Sequence, residues 1–270
     1  MKSANQQTDQ QANRLRLGIL GTGHLATYTV TGLRRSGDTR QVIVSPRNAE
    51  RAKYLADNQQ CIVAEDNQGV IDQSDLILLA VRPWQLTELL EGLVFPKDKI
   101  VVSAVAGLTL DQVRNKADLP DKLALILPVV AAENAQGFVP IYPDIPEVKA
   151  LADSLGKTIA FKQESQFEEA SAMACLNGWL YRFFDEQYHW LIKNGIEEED
   201  ARNMVLHNTL GAAHYALGRP QQDLSELAGE IAREGTYTKA GLDQLEAGGA
   251  FKQWSDTLDM IKAKLDASDE

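Results

Sequence analysis

The first half of the chain alternates short apolar runs with amphipathic stretches. Eight runs predict strands: LRLGIL, QVIV, CIVA, LILLAV, KIVVSAV and LALIL, followed by GFVPIY and KTIAF. Several of the early ones are almost continuously apolar, which is typical of a parallel sheet covered by helices on both faces. Stretches such as NAERAKYLADN predict helices between them. This βαβ rhythm predicts a doubly wound α/β domain of Rossmann type with right-handed crossovers, over residues 15–163.

From about residue 164 the pattern predicts helices alone. The stretch ESQFEEASAMACLNGWLYRFFDEQYHWLIKNG predicts one long helix that stops at Asn194-Gly195, and EEEDARNMVLHNTLGAAHYALGRP predicts a second that ends at Gly218 and Pro220. Three shorter amphipathic stretches follow. Residues 164–270 are therefore predicted to form an all-helical domain. The polar, Gln-rich residues 1–14 predict a disordered tail.

Composition and charge narrow the class of protein. The chain has 270 residues, of which 44% are hydrophobic and 24% charged, with a formal net charge of −11. An acidic chain of this kind is not expected to bind nucleic acid. No apolar run approaches the roughly 20 residues that span a bilayer, and the tail lacks the apolar segment of a signal peptide. We therefore expect a cytoplasmic protein without a membrane partner, in which Cys61 and Cys175 are reduced thiols.

The stretch LRLGILGTGHLA carries the first candidate chemistry. Gly21 and Gly23 follow a predicted strand and precede a predicted helix, with Ala26 where a third glycine often stands. In this context the first glycine permits a tight turn and the second lets the backbone approach a pyrophosphate. The amides and partial positive charge of the helix N-terminus favour phosphate. The turn therefore predicts a dinucleotide site.

The end of the second predicted strand indicates which dinucleotide binds. An Asp or Glu would grip a ribose 2′-hydroxyl there, but this chain has VIVSPRNAER, with Ser45 and Arg47 and no carboxylate before Glu50. A hydroxyl and a guanidinium suit a 2′-phosphate, because arginine meets phosphate oxygens in a forked geometry. NADP(H) is therefore favoured over NAD(H). In the alternative interpretation Arg47 is a solvated loop residue.

Several motifs, taken in their order along the chain, resemble those of a known family. These are GILGTGHLA, VSPRNAERAKYLA, DNQGVIDQSDLILLAVRPWQL, VVSAVAGLTLDQV, LGAAHYAL and GTYTKAGLDQLEAGG. Together they resemble pyrroline-5-carboxylate reductase, over nearly the whole chain after the tail. The resemblance implies an NADP-dependent oxidoreductase acting on a CH–NH group in proline biosynthesis. It also implies a homodimer through the C-terminal helices, with further assembly left open.

The resemblance assigns the cofactor-binding residues by motif. The pyrophosphate would lie on the glycine turn, the adenosine ribose and its phosphate on the second strand end, and the nicotinamide side on the turns Ala80 to Pro83 and Ser103 to Gly107. The predicted set is Gly21, Gly23, His24, Leu25, Ala26, Ser45, Arg47, Asn67, Ala80, Val81, Arg82, Pro83, Ala104 and Ala106.

The substrate half departs from the family pattern. Where the family usually has Met-Pro-Asn-Thr-Pro, this chain has LPVVA. The family begins a helix with the small residues Ser-Gly-Ser-Gly-Pro, and this chain has ACLNGWLY there. The family's Ser-Pro-Gly-Gly-Thr-Thr loop is REGTYT in this chain. By resemblance, amides of this loop would take the substrate carboxylate at a helix N-terminus, and the Thr238 hydroxyl would serve as the catalytic group beside the imine nitrogen. The predicted substrate-binding residues are Asn177, Arg233, Gly235, Thr236 and Tyr237.

Other sites are less well supported by the sequence. His207 and His214 are two helical turns apart rather than the one turn of a helical zinc pair, so no metal is predicted. The related β-hydroxyacid dehydrogenases place a lysine one turn before an asparagine, but Asn177 follows Met173 and Ala174. The resemblance to pyrroline-5-carboxylate reductase implies NADP(H)-dependent reduction of a small cyclic imine acid as the function. The alternative is a catalytically weak relative that binds NADP(H) as a regulatory or interaction protein.

Overall fold

The computed structural model describes residues 15–267, so the tail predicted for residues 1–14 lies outside the described residues. The chain divides into two compact units. The first extends to Ala174 and also includes the end of the last helix from Lys262, and the second is Cys175–Ile261.

The first unit is built on one eight-stranded sheet. Its strands are β1 (Leu17–Leu20), β2 (Val42–Val44), β3 (Ile62–Val63), β4 (Leu76–Leu79), β5 (Ile100–Ser103), β6 (Leu123–Ile126), β7 (Phe138–Tyr142) and β8 (Lys157–Ala160). They lie in the order β3-β2-β1-β4-β5-β6-β7-β8, and all neighbours are parallel except β6 and β7. The predicted Rossmann-type fold class is confirmed.

The apolar strands are buried on both faces of this sheet. Leu17 of β1 lies opposite Val42 on one side and Leu76 on the other. Leu17 and Ile19 belong to one hydrophobic cluster, whereas Leu20 belongs to a second. Because successive side chains of a strand point to opposite faces, a covered sheet needs apolar residues at every position. This is the physical reason for the continuous apolar runs in the sequence.

The helices of the first unit cover the two faces. They are α1 (His24–Arg35), α2 (Ala49–Gln59), α3 (Asn67–Asp72), α4 (Leu86–Leu90), α5 (Leu110–Arg114), α6 (Pro146–Asp153) and α7 (Glu164–Ala174). Short 3-10 helices span Pro83–Gln85 and Val130–Asn134. The second unit begins with α8 (Leu176–Lys193), α9 (Glu198–Leu217), α10 (Leu224–Ile231) and α11 (Tyr237–Ala247). The last helix, α12 (Ala250–Ala267), starts there and ends in the first unit.

One helix prediction needs correction. The single long helix expected over residues 164–195 is divided into α7 and α8 at Cys175. The amide of Gly178 donates to the carbonyl oxygen of Cys175, three residues earlier, at 3.1 Å. A three-residue hydrogen bond tightens the turn and interrupts the four-residue ladder. Asn177 and Gly178 lie within α8, and the apolar pattern continues past them, so the sequence did not indicate a break at Cys175.

A buried ion pair fixes the chain between α1 and β2. Asp38 and Arg40 are both more than nine-tenths buried, with Arg40 Nη2 2.6 Å from Asp38 Oδ2. Ser154, just after α6, donates a further hydrogen bond to Asp38 at 3.0 Å. Burial alone would raise the pKa of Asp38, but these hydrogen bonds and the charge of Arg40 lower it below its usual value. The pair therefore ties the ends of α1 and α6 to the sheet.

Helix α1 also packs unusually closely on the 3-10 helix Val130–Asn134. A Cβ atom built on Gly32 would lie 1.9 Å from the carbonyl oxygen of Ala132. Only a residue without a side chain allows this approach of two backbones.

Gly32→Ala should lower the free energy of unfolding by about 3 kcal/mol, because the overlap outweighs the helix propensity that alanine adds. The matched control is Gly229→Ala in α10, where the added Cβ meets no atom within 4 Å and stability should be unchanged or slightly higher. Both are measured by urea unfolding followed by circular dichroism. Equal stability of the two variants would show that the contact is not tight in solution.

Candidate functional site

A large pocket of the first unit lies at the carboxyl ends of the parallel strands. Its volume is about 840 Å³, and it is lined by residues that follow β1, β2, β4, β5 and β6. The strand order reverses between β1 and β4, and ligands of open α/β sheets bind at this point. The lining residues are Gly21, Thr22, Gly23, His24, Leu25, Tyr28, Arg47, Asn48, Ala49, Arg51, Ala80, Val81, Arg82, Pro83, Gln85, Ala104, Ala106 and Leu127.

Gly21 brings the turn after β1 against the turn after β4. Its φ is +103°, a conformation that favours glycine. A Cβ there would lie 2.6 Å from the carbonyl oxygen of Ala80 and 2.6 Å from a methyl group of Val81. The two turns can therefore form the floor of the pocket only with glycine at this position.

Gly23 has a different role. Its φ of −90° is accessible to any residue, and a Cβ built there meets no protein atom within 4 Å. It caps α1 without any side-chain hydrogen bond, which leaves the first-turn amides for a ligand. An open space in front of a helix N-terminus that a Cβ would enter fits a pyrophosphate.

The turn after β2 is held by two predicted residues. The buried Ser45 donates a hydrogen bond from its hydroxyl to Asn67 Oδ1 at 2.7 Å. The amide of Arg47 lies 3.5 Å from the same hydroxyl oxygen. Neither Ser45 nor Asn67 is among the residues that line the pocket. In this arrangement they shape the turn that carries Arg47, and their direct contact with a ribose phosphate stays a prediction.

Two arginines line the pocket beside this turn. Arg47 Nη2 lies 3.2 Å from Glu88 Oε1, and Arg51 Nη2 lies 3.0 Å from His24 Nε2. Sequence reasoning missed Arg51. The signal was present, because Arg51 lies in the first turn of the helix predicted from NAERAKYLADN, directly after the turn that carries Arg47. These guanidinium groups supply the local positive charge that an acidic chain needs to hold a phosphate.

The opposite part of the pocket contains the other predicted cofactor residues. Ala80, Val81, Arg82 and Pro83 come from the turn after β4, and Ala104 and Ala106 follow β5. Leu127, which follows β6, was not predicted. The small side chains of Ala80, Ala104 and Ala106 are compatible with a planar ring on this side of the pocket. The structure thus places most of the predicted cofactor residues around one space, though their individual roles stay predictions.

The predicted substrate residues belong to the second unit. Arg233, Gly235, Thr236, Tyr237 and Thr238 form the turn that begins α11, whereas Asn177 lies on α8. The Thr236 hydroxyl donates to the carbonyl of Arg233 at 2.7 Å and accepts from the amide of Lys239 at 3.1 Å. It therefore caps α11. The side chain of Tyr237 is 99% exposed.

The titratable groups bear on two other kinds of site, a metal centre and a nucleophile. Among the side chains of residues 15–265, no group of three His, Cys, Asp or Glu is arranged to hold a metal ion. Burial raises the pKa of the Cys61 thiol to about 11, so this cysteine is a poor nucleophile. No helix within the described part of the chain has the length and apolar character needed to cross a bilayer.

Comparison with known proteins agrees with this geometry. Residues 16–107 match the family model described as NADP oxidoreductase coenzyme F420-dependent, and residues 164–266 match pyrroline-5-carboxylate reductase dimerisation. A pyrroline-5-carboxylate reductase of Haemophilus influenzae is 25% identical over 242 residues, which cover 86% of this chain and 89% of the relative. The Bacillus subtilis pyrroline-5-carboxylate reductase 2 is 26% identical over 243 residues, covering 86% and 87%.

The chain is similar to pyrroline-5-carboxylate reductases over most of its length. The resemblance inferred from the sequence is therefore confirmed. A crystal structure of 1-pyrroline-5-carboxylate reductase from Streptococcus pyogenes superposes with a TM-score of 0.82 at 26% identity, covering 94% of this chain and 99% of that one. The Plasmodium falciparum pyrroline carboxylate reductase, solved with NADP bound, has the same fold with a TM-score of 0.80 at 18% identity, covering 94% and 97%.

The two glycines of the turn should respond differently to alanine. Gly21→Ala should lower the free energy of unfolding by about 3 kcal/mol, because it combines an unfavourable φ with a backbone overlap. Gly23→Ala should leave stability unchanged but weaken NADPH binding by about tenfold or more, because its methyl group occupies the space in front of the helix amides. Thermal unfolding and calorimetric titration with NADPH measure the two effects. Unchanged NADPH affinity in Gly23→Ala would place the pyrophosphate elsewhere.

Proposed function

We propose that this protein is an NADP(H)-dependent reductase that transfers a hydride to the C=N bond of a small cyclic imine acid. The observation that carries the proposal is the pocket at the strand-order reversal, with an open helix N-terminus at its centre and two arginines at its β2 end. It occurs in a chain whose helical part matches the pyrroline-5-carboxylate reductase dimerisation family.

The preference for the phosphorylated coenzyme rests on Arg47 and Arg51. Both guanidinium groups line the pocket beyond β2, where the adenosine ribose of a bound dinucleotide lies in this fold. No Asp or Glu stands at the end of β2 to accept a 2′-hydroxyl. A 2′-phosphate would pair with the arginines, whereas NADH carries no charged group at this position.

Reduction of an imine requires little acid–base catalysis from the protein. When bound, NADPH supplies the hydride, and a protonated imine is already electrophilic. The chain's own residues bind and orient the substrate. Amides at the start of α11 would hold the substrate carboxylate, and the Thr238 hydroxyl would hydrogen-bond the imine nitrogen. Asn177, Arg233, Gly235, Thr236 and Tyr237 are proposed to complete the substrate-binding set.

A second candidate function is supported by the same turn. The Thr236 hydroxyl already accepts the hydrogen bond of the Lys239 amide, so one donor of the α11 N-terminus is occupied before any substrate carboxylate arrives. Such a turn would bind an imine acid less strongly. This favours, as the alternative, a relative that binds NADP(H) with weak or no turnover.

The assembly that we propose is a homodimer through the helices of the second unit. Several large apolar side chains are exposed there, among them Trp190, Met204, Leu217 and Leu224. Exposed apolar surface of this extent is typical of a permanent interface. Further association of dimers stays open, and the cytoplasmic location expected from the sequence stays a prediction.

Activity should be tested by following NADPH oxidation with pyrroline-5-carboxylate, then with other cyclic imines. We expect turnover of an imine acid, and Thr238→Ala should lower kcat by about 10- to 100-fold because the imine nitrogen loses its hydrogen-bond partner. Thr238→Ser, which keeps the hydroxyl, is the matched control. NADPH affinity should be the same in all three proteins.

Absence of turnover with every imine, while NADPH still raises the melting temperature, would support the binding role instead. Unchanged kcat in Thr238→Ala would remove this residue from the mechanism.

The assembly is tested by light scattering after size-exclusion chromatography, which should give at least twice the 29.8 kDa of one chain. Met204→Glu places a charge among the exposed apolar residues of α8 and α9 and should weaken association. The control is Val94→Glu, a more exposed apolar position in the first unit, which should leave the mass unchanged. A monomeric wild-type protein would contradict the proposal.

A further inference from the structure

Two residues from different helices meet at the wall of the dinucleotide pocket. His24 is the first residue of α1, directly after Gly23, and Arg51 lies in the first turn of α2. Arg51 Nη2 is 3.0 Å from His24 Nε2, and both residues line the pocket. The contact therefore joins the helix that faces the pyrophosphate position to the helix that faces the adenosine ribose.

The direction of this hydrogen bond follows from the chemistry of the two groups. A guanidinium has five N–H donors and no acceptor, so His24 Nε2 must accept. The imidazole is then neutral and carries its proton on Nδ1. A neutral acceptor holds the guanidinium in place without cancelling its charge.

Arg47 differs from Arg51 in having a charged hydrogen-bond partner. Its partner is Glu88, a carboxylate whose side chain is 70% exposed. A carboxylate orients a guanidinium but also offsets its charge, so an incoming phosphate must compete with it. Of the two arginines, Arg51 therefore keeps its full attraction for an anion while its direction is fixed.

From this geometry we infer that His24 is a positioning residue that holds Arg51 towards the 2′-phosphate of NADP(H), and so determines the preference for the phosphorylated coenzyme. Arg51 uses one N–H on His24 and retains four for phosphate oxygens. Without the imidazole, the long side chain must be ordered at the moment of binding, which weakens the interaction. The inference rests on the NADP(H) binding proposed above but not on any imine reduction.

The experiment compares His24→Leu, which removes the acceptor, with His24→Gln, whose amide oxygen lies about as far from the backbone as Nε2. Dissociation constants for NADPH, NADH, adenosine 2′,5′-bisphosphate and adenosine 5′-monophosphate are measured by calorimetry. His24→Leu should weaken NADPH and the bisphosphate by about 3- to 10-fold. NADH and the monophosphate, which lack the 2′-phosphate, should change by less than about twofold, and His24→Gln should restore the wild-type pattern.

A double-mutant cycle with Arg51→Ala tests whether His24 acts through Arg51. Arg51→Ala should weaken NADPH and not NADH, and adding His24→Leu to it should cause no further loss. Equal losses for NADPH and NADH in His24→Leu would overturn the inference, since they indicate a contact with the pyrophosphate or a disturbed helix. Additive losses in the double variant would overturn it as well.

These outcomes are independent of catalysis. Wild-type protein that binds NADPH with the expected pattern but reduces no imine would support the positioning role and reject the reductase. Wild-type protein that binds NADPH no better than NADH would reject both the cofactor preference and the role of His24.

Discussion

The close approach of two turns at the centre of the sheet is the constraint on which the site depends. The chain leaves β1 through Gly21 directly against the backbone of Ala80 after β4, with no space for a side chain between them. Because the crossovers from these two strands run in opposite directions, a crevice opens above the contact. Every other element of the pocket lines this crevice, and Gly23 turns the first amides of α1 towards it.

The site also requires positive charge in a chain with a formal net charge of −11. Charge in proteins acts over about 10 Å at moderate salt, so local groups decide what a pocket attracts. Arg47 lies in the turn before α2 and Arg51 in its first turn, and each is directed by a residue from another element. An acidic protein can thus hold a multiply charged coenzyme through a small cluster of oriented guanidinium groups.

Sequence reasoning located the elements of the sheet well, for a clear physical reason. A strand buried on both faces needs apolar residues at each position, so β1, β4 and β5 are visible as continuous runs in the sequence. The glycine turn was equally visible, because Gly21 has a backbone conformation that favours glycine. The break between α7 and α8 at Cys175 was not, since the nearest glycine, Gly178, lies within α8. Gly32 likewise gave no signal of its contact with Ala132.

The sequence by itself determined the fold class, the resemblance to pyrroline-5-carboxylate reductase, the place of the dinucleotide turn and the identity of Arg47 as a candidate phosphate ligand. Only the tertiary structure showed that the Ser45 hydroxyl donates a hydrogen bond to Asn67 and that neither residue is among those lining the pocket. It also decided that Arg51 joins Arg47 there and that His24 directs it. The spacing of apolar and polar residues reflects hydrogen bonding and burial within one helix or strand, so it can be recognised in the sequence. Ser45 and Asn67 are 22 residues apart and His24 and Arg51 are 27 apart, so these contacts form only when the helices and strands pack.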